Sequence, residues 1–392
     1  MLSIPDYRHN KALLGKIALC TGVFLLLLSN SLSAQSPGYF IQRGDNLYRS
    51  GDFSGAKKEY ESALKLKPKN AEAKLNMGLC DFMLNEFHGA INNFKKSAKY
   101  SKDKTESKYY LALSWKGLGK PRKGIHILEK VLKSDSLFSA GWFELGKMYA
   151  SSGQAIKAIP PLKTAARLDP LNEAHWLELA NACSVTGDLP EAERNFSYYL
   201  ELNKKNPEAW FNRGRIKSLM HNSMGALLDY TQAIDLDSTE KDYLLNRGII
   251  CIRLNLSREA VNEFSKSIHL DSNYVEGYFN RGFVHLQTKN WPDAELDFKK
   301  CVTLNPGDYE ACYFLGRVFL SQDMKIKALE WCNKSLQIKK DHAPAQVLKG
   351  DIEHSLGDYE KACKTWKKAL RARDPEIRKA VYYRRQKHCN NK

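Results

Sequence analysis

Small and large residues alternate along this chain with a period far longer than one helical turn. In rows of thirty-four from Pro37, the eighth column holds Gly44, Gly78, Ala112, Gly146, Ala180, Gly214, Gly248, Gly282, Gly316 and Gly350. The twentieth column is alanine in nine rows and Gly124 in the other. Large residues fill neighbouring columns: Trp142, Trp176, Trp210 and Tyr278 in the fourth, and Tyr60, Phe94, Phe196, Tyr230, Phe264, Phe298 and Trp366 in the twenty-fourth. Ten rows fit with no insertion: 37–70, 71–104, 105–138, 139–172, 173–206, 207–240, 241–274, 275–308, 309–342 and 343–376. Two antiparallel helices in a tight hairpin approach closely only where a side chain is nearly absent, so each row predicts one such hairpin. Pro68, Pro170 and Pro306 close rows, where a helix must stop, and Pro190 and Pro292 open second helices, where a missing N–H costs nothing. Pro160 and Pro161 lie deeper in a second helix and are expected to distort its first turn.

Charge interrupts this pattern at one column. Arg43, Arg213, Arg247 and Arg281 occupy the seventh, where five of the other six rows have Leu or Met. In an antiparallel hairpin the seventh column faces the twenty-third, which gives Glu59, Asp229, Glu263 and Asp297 in those same four rows and no acid in the other six. This co-occurrence favours salt bridges within each hairpin over a row of ligand contacts.

A thirty-four-residue helix-turn-helix unit with these columns resembles the tetratricopeptide repeat (TPR) family. The rows "EAHWLELANACSVTGDLPEAERNFSYYLELNKKN" and "VEGYFNRGFVHLQTKNWPDAELDFKKCVTLNPGD" carry most of its signature, and rows three and ten fit least well. The resemblance implies an all-α fold: a right-handed superhelical solenoid of ten repeats, with a basic capping helix over 377–392. It also implies a protein-binding scaffold whose first helices line a concave face through columns two, five, nine and twelve.

Column five is apolar in every row, and core packing accounts for much of it. Column nine varies, as a selectivity-bearing column would. Phe143, Lys147, Asn181, Phe211, Arg215, Phe279, Phe283, Tyr313 and Arg317 are therefore the candidate peptide-binding residues, suited to an extended segment with apolar anchors and some acidic character. No row has Lys in column five, so the family's carboxylate clamp, Lys there with Asn in column nine, is not supported.

The N-terminus is different material. Arg8, Lys11 and Lys16 precede the uncharged run "IALCTGVFLLLL" and the small polar stretch "SNSLSAQS", the pattern of a secretory signal peptide over 1–34. The run is short for a membrane span, which needs roughly 20 apolar residues; cleavage after Ala34 is expected, and an uncleaved anchor over 17–34 is the alternative. The exit also resembles signal peptides of Bacteroidota, so the expected address is the periplasm or cell envelope. The whole chain carries a formal +17. Arg378, Lys379, Arg384, Arg385, Lys387 and Lys392 crowd its last sixteen residues with no acid among them. Such a tail reads either as a solvated helix end or as a contact for an envelope complex or an anionic membrane surface.

Most cysteines, Cys183, Cys251, Cys301, Cys312 and Cys332 among them, fall in core columns and read as small buried hydrophobes. Cys363 and Cys389 resemble the C-terminal pattern of many Bacteroidota envelope repeat proteins, which implies a disulfide pinning the cap; two free thiols are equally compatible with the spacing. "GLGKPRKG" falls on an inter-helix turn and is not a phosphate loop. No metal spacing and no nucleophile motif appears, so the reading is non-enzymatic, with no cofactor. Nucleic acid is disfavoured because the first-helix columns lack interleaved basic and aromatic residues.

Overall fold

The protein is described by a computed structural model over residues 36–389; the predicted signal peptide lies outside the described residues. The chain divides into two compact units, up to Asp188 and from Leu189. Among the described residues every regular element is an α-helix.

The first unit holds α1 (Pro37–Arg49), α2 (Phe53–Leu66), α3 (Ala71–Met83), α4 (Phe87–Tyr100), α5 (Thr105–Gly117), α6 (Pro121–Ser134), α7 (Ser139–Ser151), α8 (Ala155–Leu168) and α9 (Glu173–Thr186). The second holds α10 (Leu189–Leu202), α11 (Pro207–Leu219), α12 (Ser223–Leu236), α13 (Lys241–Arg253), α14 (Ser257–Leu270), α15 (Val275–Gln287) and α16 (Trp291–Leu304). It continues with α17 (Tyr309–Ser321), α18 (Lys325–Ile338), α19 (Ala343–Ser355), α20 (Tyr359–Ala369) and α21 (Pro375–Cys389). Within each unit, successive helices pack as consecutive helix-turn-helix pairs.

Columns eight and twenty-four form the hairpin contact. A Cβ added at Gly248 would lie 2.5 Å from the Phe264 ring, and one at Gly214 2.8 Å from Tyr230. The ring of the second helix therefore rests directly on the backbone of the first, and Tyr60, Phe94, Tyr230, Phe264 and Phe298 are fully buried. Each such ring removes about 150–250 Å² from water, the main stabilising contribution of a unit too small to bury its own face.

The turns share one backbone device. The residue in column fifteen adopts a positive φ in all ten rows: Gly51, Gly119, Gly153, Gly187 and Gly357, and also Asn85, His221, Asn255, Lys289 and Asp323. This left-handed residue lets the chain reverse within three residues, and it costs non-glycine residues about 1–2 kcal/mol.

Two expectations change, and one weakly matching row keeps the common lengths. α8 runs unbroken across Pro160 and Pro161; the carbonyls left without donors belong to Ile156 and Lys157, both on the exposed side of the helix. The third row, a weak match by sequence, forms α5 and α6 at the lengths of its neighbours. The capping helix starts at Pro375, two residues earlier than expected, with Asp374 accepting from the Glu376 N–H at 2.8 Å.

Candidate functional site

The four column-seven arginines each meet the acid that faces them, and in three of the four that acid is buried. Arg281 makes a two-pronged contact with Asp297, Nε to Oδ2 at 2.9 Å and Nη2 to Oδ1 at 2.7 Å. Its Nη1 donates to Ser265 Oγ at 3.0 Å, on the second helix of the preceding repeat, and its guanidinium lies 5.6 Å from the Tyr278 ring. Arg213 repeats the arrangement with Asp229 at 2.8 Å, Ser197 Oγ at 3.1 Å and the Trp210 ring at 4.7 Å. Arg247 reaches Glu263 Oε2 at 2.7 Å and Thr231 Oγ1 at 3.4 Å. The hydroxyl contact is absent from the sequence reading: each of these arginines joins the two helices of its own hairpin and also holds the hairpin before it. Arg43 pairs with Glu59 at 3.0 Å but keeps half its side chain in solvent, since no described helix precedes its repeat.

A parallel device uses column four. Trp142, Trp176 and Trp210 donate from Nε1 to the carbonyls of Ser136, Pro170 and Lys204 at 2.8–2.9 Å, and Gln346 does the same to Lys340 at 2.7 Å. In all four the partner lies six residues upstream, in the turn between repeats.

The nine candidate peptide-binding residues divide between the units. In the first, Phe143 packs its ring on His175 at 4.7 Å, Lys147 pairs with Glu144 at 3.3 Å above the Phe143 ring, and Asn181 is exposed. In the second, most of the aromatics pack between repeats. Phe211 meets Tyr243 at 4.7 Å, Phe279 meets Phe298 and Phe314, Phe283 meets Phe314, and Tyr313 meets His342. These rings are half-buried, so they act as a floor rather than as free anchors.

What stands clear of that floor is charge. Arg215 and Arg317 are exposed, lie 5.9 Å and 5.4 Å from the Phe211 and Phe314 rings, and form no ion pair among the described residues. Two helical turns before them, about 10 Å along the axis, column two carries the exposed carboxylates Glu208, Asp242, Glu276 and Glu310. The first helices of the second unit touch one another in succession, so this face has an acidic edge and a basic, ring-floored row.

Burial pushes the Cys80, Cys301 and Cys332 thiols up to about 12, which keeps them protonated and unreactive. Cys80 is fully buried in the core. Cys363 and Cys389 are joined in a disulfide. Among the described residues there is no cluster of His, Cys, Asp and Glu able to hold a metal, and no helix is long and apolar enough to cross a membrane.

Tetratricopeptide repeat models match residues 41–103, 275–308, 309–342 and 343–374. The chain is built from tetratricopeptide repeats. A tetratricopeptide repeat protein from Parabacteroides merdae ATCC 43184 shares the fold, at 21% identity and a TM-score of 0.50, over 62% of this chain and 97% of its own. YrrB, a TPR protein with an unusual peptide-binding site, is 21% identical over 47% of this chain and 95% of its own, with a TM-score of 0.43. Yeast Tom70 is 13% identical over 90% and 95%, with a TM-score of 0.44. No curated protein matches the sequence. TPR arrays are typically non-catalytic protein–protein interaction scaffolds, and the repeats of this chain point to a scaffold of that kind.

Proposed function

We propose that this TPR protein is an exported scaffold that holds an extended peptide or protein segment against its first-helix face. The observation that carries the reading is the pair Arg215 and Arg317, exposed above aromatic rings and lacking carboxylate partners. A segment lying across this face meets the arginines with acidic groups and the column-two carboxylates with basic or amide groups. Its apolar side chains rest on the ring edges between them.

Two observations support export: the basic, then apolar, then small-residue N-terminus, and a disulfide at the cap, a bond that persists in oxidising compartments. The test places a photocrosslinking residue at Arg215 or Arg317 and, as a control, at Leu228 or Leu296 on the outer helices, in the native host. One partner captured from the first-helix positions alone, and lost at least tenfold when the other arginine is changed to Glu, is the expected result. Equal capture from Leu228 and Leu296 would move the site elsewhere. N-terminal sequencing of the same preparation reads the address. A start near Gln35 in the soluble envelope fraction is expected; an intact Met1 in the membrane fraction would replace the exported scaffold with an anchored receptor.

A further inference from the structure

A second charged surface lies at the C-terminal end of the second unit, away from the arginine row. The loop after α18, the outer face of α20 and the loop leading into α21 enclose a cleft of about 1140 Å³. Lys340, Lys367, Lys368, Arg371 and Arg373 line it, all exposed and none in an ion pair among the described residues. Lys339 and Lys364 add to the charge, although Lys339 donates to Tyr309 Oη at 3.1 Å and Lys364 to Glu360 at 2.5 Å. The acids in the lining are Asp341 and Asp374, and Asp374 is engaged as the cap of α21.

Both rims are held in place. Gln346, buried, donates to the Lys340 carbonyl, and Arg378 donates from Nη1 to the carbonyls of Ala372 and Arg373, both at 2.7 Å. The basic tail read from the sequence is thereby divided. Arg378 braces a rim, Arg384 is held by Asp351 at 2.7 Å, and Lys379 and Lys387 stay exposed on α21, apart from the cations of the cleft.

We infer that this cleft binds a short acidic peptide segment, a run of Asp and Glu from a protein partner. Lys364, Lys367 and Lys368 follow the i, i+3, i+4 spacing of one face of α20, and Arg371 extends the row in the turn just past its end, a track of about 10 Å, the length of three extended residues. An extended run of acids matches that spacing of charge. The cleft is concave, so a flat membrane surface reaches only its rim; its lining holds no Phe, Tyr or Trp, and its one ring, His342, is buried against Tyr309 and Tyr313 and not open for a nucleic-acid base to stack on. Ala343, Pro344 and Ile377 supply an apolar floor for the segment's backbone and methylenes.

The test is fluorescence anisotropy of labelled hexaglutamate with the full chain at 0.15 M salt, with hexaglutamine as the uncharged control. The triple variant Lys367→Glu, Lys368→Glu, Arg371→Glu is set against Lys65→Glu, Lys67→Glu, Lys69→Glu, which makes the same change in net charge at exposed positions of the first unit. Binding of hexaglutamate but not hexaglutamine, weakened at least tenfold in the first variant and within twofold of the parent in the second, is expected. No binding by the parent chain, or equal loss in both variants, overturns the assignment. So does binding to phosphatidylserine vesicles that hexaglutamate fails to displace and the first variant abolishes, which would make the patch a membrane contact.

Discussion

Arg281 is positioned so that losing its partner costs more than losing the pair. Its guanidinium is three-quarters buried between the Tyr278 ring, Asp297 and Ser265, and removing Asp297 strands the positive charge there. We expect Asp297→Ala to destabilise its part of the chain by about 3 kcal/mol, and Asp297→Ala with Arg281→Leu to recover most of that loss, because Leu is what other rows carry in this column. Ser265 tolerates the change, since its hydroxyl keeps its bond to the Val261 carbonyl at 2.7 Å. Denaturant unfolding of the two variants decides it, and equal midpoints would contradict the argument. His342 makes a second residue-scale prediction. Ser335 donates to the Tyr309 carbonyl, so it can only accept from His342 Nδ1, which places the imidazole proton there and leaves Nε2 bare. Burial and then Lys339 lower the pKa of His342 to about 4, although Asp341 opposes them. A folded-state pKa below the unfolded value of about 6.5 means stability is full above 6.5 and falls as pH drops toward 4, by up to about 3 kcal/mol. Replacing His342 with Asn, which keeps an N–H for Ser335, should flatten that slope in urea titrations at pH 7 and pH 5.

At the scale of the helix pair, what could be read from the sequence depended on how many rows repeated the same chemistry. The hairpins were legible because a ring in column twenty-four needs a missing side chain in column eight, and eight of ten rows have glycine there. The left-handed turn residue was less visible: its column mixes Gly with Asn, His, Lys and Asp, and only the glycines advertise the conformation. The hydroxyl partners Ser197, Thr231 and Ser265 sit in the repeat before each arginine, so a comparison confined to single rows passes over them. The candidate binding columns were legible as positions but not as roles, because packing between neighbouring repeats decides which rings are floor and which cations stand free. The cap is the element with the least packing of its own. α21 buries Val381 and little else, and the Cys363–Cys389 bond closes a loop that the chain-entropy account values at about 3–4 kcal/mol. Reduction should therefore release α21 first: limited proteolysis under reductant is expected to cut within 375–389 while α19 and α20 stay intact, and simultaneous loss of all three helices would show that the cap and last repeat form one cooperative element.

Within each unit, contacts join consecutive helices or equivalent helices one repeat apart. Stability in such an array is a sum of repeat and nearest-neighbour terms, so a single unfolding free energy describes it poorly and damage has a location. Asp297→Ala is a useful probe because Arg281 bonds in both directions, to its own second helix and to Ser265 on α14. Hydrogen exchange in that variant should quicken in α13, α14, α15, α16 and α17, the helices that contain or adjoin the broken cluster, while the amides of 36–188 keep the protection of the parent chain. Uniform acceleration along the chain would mean that the repeats unfold as one unit and that the nearest-neighbour description fails. The same locality bears on binding. The arginine row sits on first helices and the basic cleft on α20 and the loops beside it, and charge reversal in the cleft touches no side chain beneath Arg215 or Arg317. A partner bound at one should leave exchange at the other unchanged unless it spans both, in which case protection would appear at the two sites together and disappear together at high salt.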